Sequence, residues 1–333
     1  MLFCCVAVVV LERRGTYIEI AKERKKQKDS PVTASEKTAF RSLVQKLVWP
    51  SRTTNPLLAF EVSNFQQTVE QATVQSLMDV NKMLRKTQKA DTGSVNIVIP
   101  SMKLEDVVTV TFPDASHGNM PKAGSQGGEM IFCCEKSVTS TDVKAALVEW
   151  SSKRIHRVVR STLAAEGGAL SNTHDRSDFA RVVFAEMMGK LPRTDHWQKA
   201  LKVVPGYLVV DAKSLFDMLN KVGALTSERR VALDVISVKE ALEEDQSKLR
   251  WVPTRHMLAD VLTKLMTHIP PYLLHVLQKG RLSLVESAEA KNVVEGRMPK
   301  DCGADTASDE HKNRRKIEAM ISEICCHHCN STH

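Results

Sequence analysis

Phe40, Leu43, Val44, Leu47 and Val48 recur at the i, i+3, i+4, i+7, i+8 positions of one helical face, and Thr33 and Glu36 have capping-box spacing just before them. Pro50 is expected to end that helix. A second stripe of Phe65, Val69, Ala72, Leu77, Val80 and Leu84 predicts another amphipathic helix, so residues 30–88 read as a small helical unit. Asp91-Thr92-Gly93 reads as the link out of it.

Beyond this link the period changes. The β-branched run at 107–112 has strand propensity, with shorter strand candidates at 130–134 and 147–150. Thr162 is placed to cap a helix through Leu163, Glu166 and Leu170, and a further helical stretch carries Phe179, Val182, Val183 and Met187. An apolar strand at 203–210 precedes a helix marked by Leu215, Met218, Leu219 and Val222. Then come a helix at 228–244, a strand at 249–252 and a helix at 257–266. Three strands, helix, strand, helices, strand, helix predict an α/β fold, a mixed sheet flanked by helices and preceded by the helical segment. Past residue 288 the chain is polar and weakly periodic, as in a flexible tail.

Composition narrows the class without deciding it. The 333 residues carry 47 Lys+Arg against 39 Asp+Glu, a net +8, with 42% hydrophobic positions; this is a globular balance with a mild preference for anionic partners such as nucleic acid. Cysteines in adjacent pairs (Cys4/Cys5, Cys133/Cys134, Cys325/Cys326) suit no disulfide framework and point to a reduced, intracellular protein. The apolar run at 2–11 is too short to span a bilayer and has no signal-peptide flanks, so neither membrane insertion nor secretion is expected.

Four acids fall at the ends of expected core elements: Asp114, Glu166, Asp211 and Asp260. The words around them carry more information than the spacing. Phe112-Pro-Asp114-Ala-Ser-His-Gly-Asn119, Ser125-Gln-Gly-Gly128, Arg160-Ser-Thr-Leu-Ala-Ala-Glu166, Val209-Val-Asp211-Ala-Lys-Ser214 and Leu258-Ala-Asp260-Val-Leu-Thr-Lys264 occur in this order. Together they resemble the ribonuclease H domain of copia-type LTR-retrotransposon Pol polyproteins. Upstream, residues 40–49 and 55–60 resemble the segment joining reverse transcriptase to ribonuclease H in the same polyproteins, so the resemblance covers about residues 15–288. The polymerase word Tyr-x-Asp-Asp is absent, and no DNA polymerisation is expected from this chain.

The resemblance implies a ribonuclease H-like five-stranded mixed sheet, its first three strands antiparallel and the last two parallel to the first. The implied division is a basic segment at 1–29, a connection-like helical segment at 30–100, a ribonuclease H-like domain at 101–288 and a tail at 289–333. It also implies an endoribonuclease for the RNA strand of RNA–DNA hybrids, using two Mg²⁺ ions (Mn²⁺ as a substitute) about 4 Å apart, within or beside a Pol polymerase part. Asp114, Glu166, Asp211 and Asp260 would be both catalytic residues and metal ligands, Asp114 bridging the ions. Lys153, Arg154, Arg157 and Arg160, before the Glu166 helix, are candidates for the hybrid backbone, and Lys213 and Ser214 could add a contact. His256, four residues before Asp260, could assist product release if both shared a helical face. The compartment would be cytoplasmic or nuclear.

Some residues depart from the family pattern and support an alternative, a catalytically inactive remnant that binds nucleic acid or only folds. Pro113 should end or distort the central strand. Gly167 and Gly168 each weaken a helix by about 1 kcal/mol relative to alanine. Glu129 stands where a strand should be apolar, and burying it unpaired would be costly. Asp142, Asp175, Asp178, Asp217 and Asp234 are expected to be surface charges. Cys326-x-x-Cys329 with its neighbouring histidines is too compressed for a zinc site and reads as a polar tail.

Overall fold

Thr33 Oγ1 accepts from the Glu36 backbone N–H (3.2 Å) while Glu36 Oε2 accepts from the Thr33 N–H (2.8 Å). This reciprocal cap starts α1 (Ala34–Thr53) as the spacing predicts. The computed structural model describes residues 17–88, 95–191, 197–221, 226, 228–244 and 247–285. The link at 91–93, Val222 and the Cys/His tail therefore lie outside the described residues.

Two expectations for the helical unit are corrected. Pro50 sits inside α1 rather than at its end. The last turn survives because Ser51 and Thr53 hydroxyls donate to the Val48 and Trp49 carbonyls (both 2.8 Å) and the Trp150 indole donates to the Ser51 carbonyl (2.7 Å). The second stripe is not one helix but α2 (Ala59–Thr68), a 3₁₀ turn (Val69–Gln71) and α3 (Val74–Gln88). The break occurs where residues 30–32 pair across 72–74: the Val32 N–H donates to Ala72 O and the Val74 N–H to Ser30 O. The helices share a core of Phe40, Leu43, Val44, Leu47, Leu77, Val80 and Leu84, with Phe40 and Phe65 edge to face.

Six strands make the sheet: β1 (Val107–Met120), β2 (Gly124–Glu135), β3 (Val143–Ile155), β4 (Gly206–Val210), β5 (Lys248–Trp251) and β6 (Arg281–Leu282), in the order β5-β4-β1-β2-β3-β6. β1–β2 and β2–β3 are antiparallel, while β4 is parallel to β1 and β5 to β4, matching the implied senses. The sixth strand is an addition. Its two residues pair Val143 and Lys144 and are too short to leave a period of their own.

The central strand neither ends nor deforms at Pro113, which stays paired with Glu129 of β2. The Thr109 N–H points toward β4, donating to Pro205 O, and residues two apart point the same way. The Pro113 nitrogen thus faces a side where pairing with β4 has already stopped at Thr111, so no ladder bond is lost.

The two helical stretches expected after β3 form a single helix, α4 (Thr162–Met187), and its cap is Ser161 rather than Thr162, accepting from the Ala164 N–H at 3.1 Å. α4 covers one sheet face, placing Ser177 beside Thr109 and Thr111 and Ala165 and Ala169 on Ala115. Further along the chain come α5 (Trp197–Leu201), α6 (Lys213–Asn220), α7 (Arg229–Glu244) and α8 (Pro271–Lys279). The opposite sheet face buries Val110, Phe112, Met130, Phe132 and Trp150 against Leu258, Leu262, Leu273 and Leu277. Residues 257–266 are not the α-helix the pattern predicts. They form a tight 3₁₀ turn, Leu258–Leu262, buried at all five positions.

Candidate active site

β1 and β4 run parallel with Thr109 opposite Gly206 and Thr111 opposite Leu208. Continuing that register by three residues sets Asp114 level with Asp211, both just past the paired ladder. Asp260 arrives from the 3₁₀ turn packed across β1 and β2, and Glu166 from the first turns of α4. The fold thus brings four acids from four separate segments within electrostatic reach of one another.

Burial and mutual repulsion set their protonation. Asp114, 3% exposed, is pushed up to about 6, first by burial and then by Asp260. Glu166 is pushed up to about 9 by burial, then by Asp114 and Asp211. Asp211 and Asp260 are also raised, with burial the first cause for both. Contact between the Asp114 and Asp260 carboxyls raises the first and lowers the second, so the two titrate together.

Four neighbours to which the sequence reading gave no role at the acids hold this cluster. The Thr263 hydroxyl donates to Asp114 Oδ2. The Thr254 hydroxyl donates to Asp211, and the Trp251 indole fixes the same residue by its carbonyl at 2.8 Å. The Lys264 ammonium lies 2.8 Å from Asp260 Oδ1 and within the field of Asp114 and Asp211, which raises its own pKa. Thr263 and Lys264 belong to the Asp260 word, so the available signal was their i+3 and i+4 spacing from the acid.

Hard oxygen donors held in mutual repulsion suit Mg²⁺ chemically, since a divalent cation removes the repulsion. As the side chains stand, no three His, Cys, Asp or Glu among the described residues are arranged to hold a metal ion. Lys264 and Thr263 occupy part of the carboxylate surface instead.

The candidate backbone contacts are more scattered. Lys153 is exposed on β3; Arg154 lies over Gly124, where an added Cβ would be 3.0 Å from its Nε. Arg160 is exposed immediately before the α4 cap, and Lys213 and Ser214 open α6. Arg157 is committed elsewhere: it pairs with Asp234, and its guanidinium fills the space over Gly168, where an added Cβ would lie 2.2 Å from Nη2. This explains one helix glycine and removes Asp234 from the unpaired surface charges. Asp178 and Asp142 also have partners, Arg181 and Arg281. His256 is on a separate 3₁₀ turn (Thr254–His256) with its ring against Tyr272, so it shares no helical face with Asp260.

Glu129 is buried but paired, contrary to the cost expected of it. Arg176 Nη1 lies 2.6 Å away, Thr173 donates at 3.1 Å, and Arg176 also reaches Glu149. Burial still outweighs these partners and holds the Glu129 pKa up.

No known family profile matches the chain, and no curated protein does. Solved structures do. The N-terminal RNase H domain of a Mycobacterium tuberculosis protein, solved as a maltose-binding-protein fusion, aligns over 47% of this chain and 91% of its own at 15% identity and a TM-score of 0.30. RNase H1 from the archaeon Halobacterium salinarum aligns over 46% and 93% at 16% identity and a TM-score of 0.29. A foamy viral protease-reverse transcriptase in complex with dsDNA aligns over 49% and 96% at 15% identity and a TM-score of 0.29. At these identities and TM-scores the likenesses carry no conclusion about this chain, and its fold is read from its own topology. The order and senses of β1 to β5, with flanking helices, define an α/β fold of the ribonuclease H-like kind. Among the described residues no helix is long and apolar enough to cross a membrane.

Proposed function

We propose that this chain is an endoribonuclease that hydrolyses the RNA strand of RNA–DNA hybrids, a piece of a copia-type retrotransposon Pol polyprotein. The observation that carries the reading is the convergence of Asp114, Glu166, Asp211 and Asp260 from four distant segments into one mutually repelling cluster. Those four would hold two Mg²⁺ ions, which when bound supply an activated water and charge neutralisation at the scissile phosphate. The chain's own share is positional. Thr254 and Trp251 orient Asp211, Thr263 orients Asp114, and burial keeps bulk water away from Asp114.

Lys153, Arg154, Arg160, Lys213 and Ser214 would meet backbone phosphates, with RNA recognised through 2′-hydroxyls and duplex shape. Arg157 would join them only by leaving Asp234. The helical segment at 34–88 is read as the junction toward a polymerase part.

The ion pair from Lys264 to Asp260 favours the second reading, an inactive fold that retains the acids with a lysine as their counter-charge. Cleavage of a labelled RNA–DNA hybrid in Mg²⁺, beside RNA–RNA and DNA–DNA duplexes and the Asp211→Asn variant, separates the two. Hybrid-selective cleavage lost in the variant supports the nuclease; no cleavage, or cleavage indifferent to Asp211, supports the remnant.

A further inference from the structure

The turn that carries Asp260 is held from outside the sheet by a chain of polar side chains that no catalytic role requires. The Gln126 side chain on β2 is fully buried, and its amide nitrogen donates to both Ser63 on α2 (2.9 Å) and Ser152 on β3 (2.8 Å). Its amide oxygen accepts from Gln67 on α2 at 3.0 Å, so both ends of the amide are engaged by the helical segment. Ser152 in turn donates to the Leu262 carbonyl at 2.5 Å, two residues beyond Asp260.

Register explains why the relay reaches this point. Asp114 pairs with Gly128 and Gly128 with Ser152, so Ser152 stands on the same row as Asp114 two strands away. Along this row the sheet has no side chain at Gly128, and the turn settles onto it: an added Cβ would lie 2.7 Å from Leu262 Cβ. The next carbonyl, that of Thr263, is held from the other side by Ser116 Oγ (2.8 Å) and Asn119 Nδ2 (3.2 Å). Leu57 and Ala59 of the helical segment also pack into the core that includes Leu258, Val261 and Leu262.

We infer that Gln126 and Ser152 are positioning residues, through which docking of the helical segment sets the placement of the Asp260 turn. Such a buried network restricts geometry because each unmade bond would strand a polar group. On this inference the segment at 34–88 is a regulatory element of the acidic cluster, not a spacer: a partner that displaced α2 would loosen Asp260. The inference rests on the proposed nuclease reading only for its catalytic consequence; the mechanical coupling stands apart from it.

The test uses the full chain and two independent readouts. Hydrogen exchange of the peptide spanning 258–264, without metal, reads the coupling. Ser63→Ala, Gln126→Leu and Ser152→Ala are each expected to speed exchange there at least tenfold, and Ser152→Thr to stay near wild type. Val44→Ala, in the helical core away from the relay, controls for general loosening and should speed exchange only within 34–88. Unchanged exchange at 258–264 in Ser63→Ala and Ser152→Ala, or an equal effect from Val44→Ala, overturns the inference. Mn²⁺ binding by the same variants is read separately, with a five-fold or greater loss expected for Ser152→Ala. If wild type binds no Mn²⁺ while the exchange result holds, the nuclease reading fails and the relay survives.

Discussion

Thr263 donates its hydroxyl to the Asp114 carboxylate, joining the last acidic word of the chain to the first across 149 residues. Both residues are buried, so the bond cannot be replaced by bulk water. Thr263→Val keeps the shape and removes the donor, at an expected cost of about 1–2 kcal/mol at pH 8, where Asp114 is ionised. The loss should be smaller at pH 5, where Asp114 is protonated. Urea denaturation at the two pH values checks this, and equal losses at both would contradict it.

The acids also predict how metal-free stability varies with pH. Asp114 is held at about 6 against an ordinary 3.8, and Glu166 at about 9 against 4.5. The folded state therefore binds more protons than the unfolded chain between these values. Their contribution is fully present below about pH 4 and is lost as pH rises through 6 and then 9. Asp114→Asn should flatten the lower part of that slope and Glu166→Gln the upper part. Melting temperatures from pH 4 to 9, with and without Mg²⁺, provide the readout; added Mg²⁺ should stabilise most at the alkaline end. A metal-free stability that rises steadily toward pH 9 would be inconsistent with the cluster.

Two glycines at conspicuous places should respond in opposite ways. At Gly128 an added Cβ meets Leu262 Cβ and Thr263 Cγ2 at 2.7 and 2.8 Å, with the Leu262 backbone at 3.3 Å, so Gly128→Ala must push the Asp260 turn off the sheet. At Gly168 the obstacle is the far end of Arg157, which can swing away. Losing its partly exposed pair with Asp234 costs at most about 1 kcal/mol, offset by about 1 kcal/mol of helix propensity. Hybrid cleavage should fall at least tenfold in Gly128→Ala, while Gly168→Ala should keep its activity and melt within a few degrees of wild type.

Much of this was readable in the chain, for identifiable reasons. The acids sat in ordered words, and the capping box at Thr33 and Glu36 is a local signal that the structure repeats bond for bond. What escaped depended on distant partners. The helix break at 72–74 is made by residues 30–32, Pro50 is tolerated because Trp150 reaches Ser51, and Pro113 is harmless because of the side its nitrogen faces. Gly168 and Glu129 look like damage in one dimension and are matched to Arg157 and Arg176 in three.

Arg176 supplies a stability test away from the acids. Its removal leaves Glu129 buried with the Thr173 and Ser151 hydroxyls as its hydrogen-bond donors, and Arg176→Leu should destabilise the protein by about 2–3 kcal/mol, less than for a fully buried pair because Arg176 is partly exposed. Glu129→Gln in the same chain should recover most of that loss. Chemical denaturation of both variants decides it; equal stability of the single and double variants would mean the pair is not what holds Glu129 in place.

The most direct test of the central claim is a crystal structure with Mn²⁺ and a hybrid bound to the Asp211→Asn variant or to wild type at low temperature. Two anomalous peaks about 4 Å apart among Asp114, Glu166, residue 211 and Asp260, with the Lys264 ammonium withdrawn from Asp260, are the expected result. A wild-type cluster that takes up no ion at saturating Mn²⁺ and keeps Lys264 on Asp260 would contradict the account.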